Sequence, residues 1–188
     1  LFLISRPSDA VIEKFIDGSR HQPLSYEPDE VARVPRGWNL DEIVAPVGKG
    51  QGDFERARSA LREWKQFDLG WVQLFRHGPR TEAGTIVAVL VRHLGFWSLN
   101  GCRVLGVVEE PGQRLAVSYG TLINHAESGE ELFEVSLDTP TATVSYRIRA
   151  VSRPHAAAAL IGYPVVRRLQ ARFRKGSVEA MRRAVAAR

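Results

Sequence analysis

A chain of 188 residues, 44% hydrophobic and 25% charged, has the length and composition of one folded domain with a sizeable core rather than a disordered tail. Its one cysteine, Cys102, excludes an intrachain disulfide and fits a reducing, cytoplasmic setting. The formal charge of +5 belongs to the chain's end. Arg167 to Arg188 holds eight Lys or Arg and one acid, Glu179, while Leu1 to Val166 is slightly acidic.

The chain opens on a short strand, Leu1 to Ser5, which reaches Arg6-Pro7 too soon for a signal peptide. Pro7-Ser8-Asp9 reads as a helix start, with Ser8 or Asp9 as cap, Ala10, Val11, Ile12, Phe15 and Ile16 as apolar stripe and Gly18 as stop. From Gln22 to Val47 periodicity fails, and five residues, Pro23, Pro28, Pro35, Gly37 and Pro46, punctuate a long connection that carries Trp38. Gly48-Lys49-Gly50-Gln51-Gly52-Asp53 lacks the spacing of a P-loop or a dinucleotide fingerprint. It reads as a tight turn before a packing helix, Asp53 to Phe67, with Phe54, Ala57, Leu61, Trp64 and Phe67 on one side.

Six strands are expected next: Leu69 to Arg76, Gly84 to Arg92, Phe96 to Glu110, Arg114 to Leu122, Glu130 to Leu137 and Ala142 to Val151. Short turns between them predict an antiparallel meander. Thr85 to Val91 is apolar on both faces, as a central strand should be, and Ile86 to Val91, the longest apolar run, is far too short to span a membrane. Ser152-Arg153-Pro154 is expected to cap a final helix. A break is predicted at Gly162-Tyr163-Pro164 and a weak point at Gly176-Ser177, and the stripe Val165, Leu169, Phe173, Ala180 and Ala184 marks the packed side. The order is α+β in one domain, 1–188. A curved antiparallel sheet wrapped around a long C-terminal helix is the helix-grip, Bet v 1-like or START-like arrangement, with room for a ligand between sheet and helix.

The stretch Arg114 to Arg149 carries the chemistry. Alternation puts Leu115, Val117, Tyr119 and Thr121 on one face of a strand, Glu131, Phe133, Val135 and Leu137 on one face of the next, and Val144, Tyr146, Ile148 and Ala150 on one face of the last. If these faces look inward, Tyr119, Thr121, Glu131 and Tyr146 are polar groups aimed at the core, and such groups need partners. His125 and Glu127 lie in the intervening turn, and Arg103 and Arg153 are available as partners for the acids. The expected ligand-binding set is therefore Tyr119, Thr121, His125, Glu127, Glu131, Tyr146, Arg103 and Arg153. His125, Glu130, Glu131 and Tyr119 are the candidates for acid–base chemistry, against a purely structural role for Glu130 and Glu131 in tying down the turn.

The five histidines, His21, His77, His93, His125 and His155, show no metal-ligand spacing, Cys102 has no sulfur partner, and nothing resembles a serine nucleophile motif, so neither metal nor cofactor is expected. The arginines of the last helix come without interleaved aromatics or a nucleic-acid motif, so no sequence-specific nucleic-acid partner is expected. A solvated outer face or an interaction surface are the two readings of that helix.

Three stretches resemble the domain of unknown function 1990 family (uncharacterised protein family 0548). They are the Gly-rich turn and helix through Ala57, Trp64 and Phe67; Tyr119-Gly120-Thr121-Leu122 with His125, Glu127, Gly129, Glu130, Glu131 and Phe133; and Ser152-Arg153-Pro154 with the final helix. Ser25-Tyr26-Glu27 is a looser match. The resemblance implies a helix-grip-like fold and brings no known activity and no catalytic residues. The expected partner is a small hydrophobic or amphipathic molecule, held without catalysis or, alternatively, acted on by the acid–base groups in the same cavity.

Overall fold

A computed structural model describes residues 1–31, 33–78, 81–154 and 163–187. Strands β1 (Phe2–Leu3), β2 (Asn39–Lys49), β3 (Val72–Arg76), β4 (Ile86–His93), β5 (Phe96–Glu110), β6 (Arg114–Thr121), β7 (Glu127–Asp138) and β8 (Thr143–Pro154) form one antiparallel sheet. Its order is β2-β8-β7-β6-β5-β4-β3, and β1 pairs with the start of β5. The helices are α1 (Asp9–Gly18), a single turn α2 (Pro28–Val31), α3 (Gly50–Arg62) and α4 (Tyr163–Ala186).

At β4 both faces of the sheet are covered, which explains why its run from Ile86 to Val91 is apolar on both sides. Ile86, Ala88 and Leu90 meet Ile12 and Ile16 of α1 on the convex side. Val87 and Val89 join the main core on the concave side, beneath α3 and α4. The Ser8 hydroxyl caps α1 by accepting from the Val11 N–H. α3 starts three residues earlier than the sequence suggests. Asp53 reaches back to accept the Lys49 N–H at 2.7 Å, so the Gly-rich turn is closed by its own carboxylate. Trp64 then adopts a left-handed conformation (φ 59°) that ends α3 and starts the 3₁₀ turn Lys65–Phe67.

The second half of the expected 22–47 connection is a strand. In β2 the residues Asp41, Ile43, Ala45 and Val47 face inward, while Leu40, Glu42 and Val44 face outward. Pro46 obscures the pattern. It is tolerated because β2 is an edge strand and because the register shifts between Pro46 and Gly48. The first half lies on the convex face, where Tyr26, Val31, Trp38 and Val151 cluster. Tyr26 crosses over Gly120, where a Cβ would collide with its hydroxyl, and donates to Glu130 Oε1 at 2.8 Å.

Two expectations about the last helix are corrected. Ser152-Arg153-Pro154 is not a helix cap but the end of β8, paired with Glu127, Ser128 and Gly129. Gly176-Ser177 is not a weak point, for α4 runs through it. The absent side chain of Gly176 lets Leu69 approach, and the buried Ser177 hydroxyl lies 2.8 Å from that of Tyr146. The expected helical stretch over 156–161 lies outside the described residues.

Candidate functional site

Register builds the site row by row. Residues opposite one another in an antiparallel sheet point to the same side. The row Ala45–Tyr146–Val135–Leu115 and the next, Ile43–Ile148–Phe133–Val117, are apolar apart from one hydroxyl and pack against α3 and α4. The third row is Asp41–Ala150–Glu131–Tyr119, and the fourth places Ser152 beside Gly129, next to Thr121. In these rows the large apolar side chains give way to small or polar ones. A Cβ on Gly129 would strike the Val151 carbonyl, so this position stays empty. The result is a cavity of about 440 Å³ between the concave face and the N-terminal half of α4.

The cavity is graded along the sheet. Trp71, Val72, Val89 and Val91 line it at the β3–β4 side, and Leu169 and Phe173 close it from α4. Toward β6, β7 and β2 the lining is Tyr119, Thr121, Glu127, Glu131 and Asp41. Tyr119 is held by aromatic neighbours: its ring stacks on Trp64 with centroids 6.2 Å apart and meets Phe133 at 5.5 Å. Its hydroxyl donates to Glu131 Oε2 at 2.6 Å. Burial pushes the Glu131 carboxyl up to about 7; the Tyr119 hydrogen bond opposes the rise and the nearby Glu127 charge adds to it. Burial also raises Glu127, whose two oxygens accept from Gln170 Nε2 at 2.8 and 2.9 Å. Asp41 is lowered by the Arg167 hydrogen bond and by Arg174, 3.1 Å away.

The other expected site residues are placed as follows. His125 lines the cavity, and its Nδ1 accepts the Glu127 N–H at 3.0 Å. The Thr121 hydroxyl is occupied by structure, accepting the Gly129 N–H at 2.9 Å and lying 2.7 Å from Ser25 Oγ. Glu130 borders the cavity, but its carboxylate is bound to Tyr26 from the convex side, away from Glu131. Tyr146 sits two rows deeper, fully buried against Ser177 and outside the cavity lining. Arg103 and Arg153 do not meet the acids. Alternation puts both on the convex face, where Arg103 donates to the Arg20 and Gln22 carbonyls and Arg153 lies 4.6 Å over the Trp38 ring. Asp41, Trp71, Gln170 and Arg174 were missed. Asp41 was hidden with its strand, whereas Gln170 and Arg174 are polar interruptions beside the apolar stripe of the last helix, a legible signal.

Three of the arginines in the first half of α4 are engaged within the fold: Arg167 and Arg174 with Asp41, and Arg172 at 4.5 Å over Trp71. Among the described residues no group of three His, Cys, Asp or Glu could hold a metal ion, and no helix is long and apolar enough to cross a membrane.

A curved antiparallel sheet gripping a long C-terminal helix over a cavity is the Bet v 1-like, helix-grip architecture. The Zhui aromatase/cyclase from Streptomyces sp. R1128 shares it with a TM-score of 0.57 at 9% identity, over 79% of this chain and 94% of that one. Ara h 8.0201 shares it at a TM-score of 0.51 and 11% identity, over 81% and 100%. At such identities the likeness shows the fold alone. Residues 25–180 match the family described as Domain of unknown function (DUF1990), and the chain belongs to this family, also designated UPF0548. A UPF0548 protein of Dictyostelium discoideum is 30% identical over 207 residues, 98% of this chain and 96% of its own length. One of Deinococcus radiodurans is 36% identical over 160 residues, 73% and 76%.

Proposed function

We propose that the chain binds a small, largely apolar molecule in the cavity between the sheet and the N-terminal half of α4. The observation that carries this reading is the cavity itself. About 440 Å³ is the size of a small-molecule site, and its lining combines an apolar body with a few convergent polar groups. A sequence selected only for stability would fill the third and fourth rows with side chains, as the first two are filled. Protein purified without detergent is expected to take up the neutral dye Nile red, with the emission shift of an apolar environment. Ala150→Trp, which fills the space opposite Glu131, is expected to abolish uptake while leaving the fold intact by circular dichroism. Equal uptake by both proteins, or by neither, overturns the reading.

Acid–base catalysis in the same cavity is a second reading, favoured by the Tyr119–Glu131 pair. A carboxyl near 7 is matched to proton transfer at neutral pH. Its test is turnover of a ligand recovered by native mass spectrometry. The activity should be lost in both Glu131→Gln and Tyr119→Phe, and persistence in either variant sinks it.

A further inference from the structure

We propose that the occupant of the cavity is an amine, an apolar body bearing one protonated nitrogen that lies against the carboxylates of Glu131 and Glu127. This rests on the binding reading above and adds the chemical class of the ligand.

Three carboxylates gather at the polar end: Asp41 from β2, and Glu127 and Glu131 from β7. The cations facing them from α4 are Arg167 and Arg174, and both engage Asp41. With all three ionised, two guanidinium groups against three carboxylates leave the end one positive charge short among the described residues. Neither Glu127 nor Glu131 takes part in an ion pair with any described residue. Among the described residues Glu127 is hydrogen-bonded to the neutral amide of Gln170 and Glu131 to the Tyr119 hydroxyl, with the Arg167 and Arg174 charges acting on them from beyond ion-pair distance.

Among the described residues no other group forms an ion pair with these carboxylates. His93, from β4, is disfavoured as a cation by burial. The Nδ1 of His125 is engaged by the Glu127 backbone, 3.0 Å from its nitrogen and 3.1 Å from its carbonyl oxygen, and not by the carboxylates. Tyr119 and Cys102 are both held neutral by burial and by the Glu131 charge. A carboxylate out of water and without a countercharge is costly, and an ammonium group supplies both charge and donors. A ligand carboxylate would instead meet two like charges, so the same geometry selects against acids. The apolar lining toward β3 and β4 then receives the body of the molecule.

The test uses octylamine, 1-octanol and octanoate, which share one chain and differ in the head group. They compete with Nile red at pH 8, and each is also scored by the rise it gives in Tm without dye. Octylamine is expected to displace dye at about a tenfold lower concentration than the other two, the ratio a charge-assisted contact supplies over a neutral one. It should also give the largest rise in Tm. In Glu131→Gln and Glu127→Gln, each normalised to its own dye affinity, the advantage of the amine over the alcohol should shrink. Displacement by octanol or octanoate as effective as by the amine overturns the proposal, as does an advantage undiminished in both variants. In those cases dye uptake still stands and the binding reading survives. Absence of dye uptake removes that reading, and the Tm arm then decides the amine by itself: no rise specific to octylamine ends it.

Discussion

Glu131 shows how a single position sets the character of the site. Alternation from Phe133 and Val135 turns it inward, and its place in the row beside Tyr119 gives it one strong donor and, among the described residues, no ion pair. Its carboxyl lies at about 7 when folded, against 4.5 for the free group. The folded chain therefore holds this proton to higher pH than the unfolded chain does. Between pH 4.5 and 7 the native state binds more protons, so stability falls as pH rises through that window. The full difference corresponds to about 3 kcal/mol. Glu127, raised in the same direction, adds to the slope, while Asp41, with its two arginines, works the other way. Comparing wild type with Glu131→Gln isolates one group, because the amide keeps the shape and an acceptor for Tyr119. The variant is expected to match wild type near pH 4 and to exceed it by up to about 3 kcal/mol at pH 8 in urea unfolding. Equal stability at pH 8 would mean that the carboxyl titrates as a solvated one.

Elements were legible where each obeys one period and illegible where a residue breaks it. β4, β5 and β6 follow the alternation of their side chains almost to the residue, and α1 follows its capping serine and apolar stripe. β2 did not emerge, because Asp41, Glu42 and Pro46 look like loop chemistry until the edge position and the register shift are known. The inward orientation of Tyr119 and Glu131 was legible from period two. The convex placement of Arg103 and Arg153 follows from the same alternation once the register is known. Gly120 is a further case, invisible without the strap from Ser25 to Tyr26 across the convex face. That strap is fixed by Ser25 and Tyr26 bonding to Thr121 and Glu130. Since a Cβ at Gly120 meets the Tyr26 hydroxyl, Gly120→Ala is expected to cost about 1–3 kcal/mol by overpacking. Adding Tyr26→Phe removes the colliding atom and should recover part of that loss, although Tyr26→Phe alone is destabilising because Glu130 loses its donor. Strictly additive losses in the four-protein cycle would show that the strap is not seated on Gly120.

For the whole molecule, the division of α4 is the feature that joins stability to the proposed binding. From Ser177 onward the helix is locked. Ser177, Val178, Met181 and Val185 are buried, and the Tyr146 hydroxyl meets Ser177 beneath them. From Val165 to Arg174 it instead roofs the cavity, with Leu169 lining it, Phe173 at its rim against Phe67, and Arg167, Gln170 and Arg174 reaching the acids across it. A helix half that packs on a cavity has fewer apolar contacts resisting local opening than one that packs on a filled core. Amide hydrogen exchange in the free protein is therefore expected to be faster over 165–174 than over 177–185. A bound molecule supplies the missing contacts to the first half only and stabilises the native state by mass action. Saturating octylamine, or Nile red where the amine does not bind, should slow exchange over 165–174 and in the facing strand around Glu131 by more than over 177–185. Uniform protection along the helix would indicate global stabilisation without a seat in the cavity, and protection confined to 177–185 would place the ligand elsewhere. The apolar rows under the second half hold the helix in position, and the polar rows under the first half leave room beneath it. A change that fills the third row, as Ala150→Trp does, should thus bring exchange over 165–174 close to that over 177–185 without any ligand present.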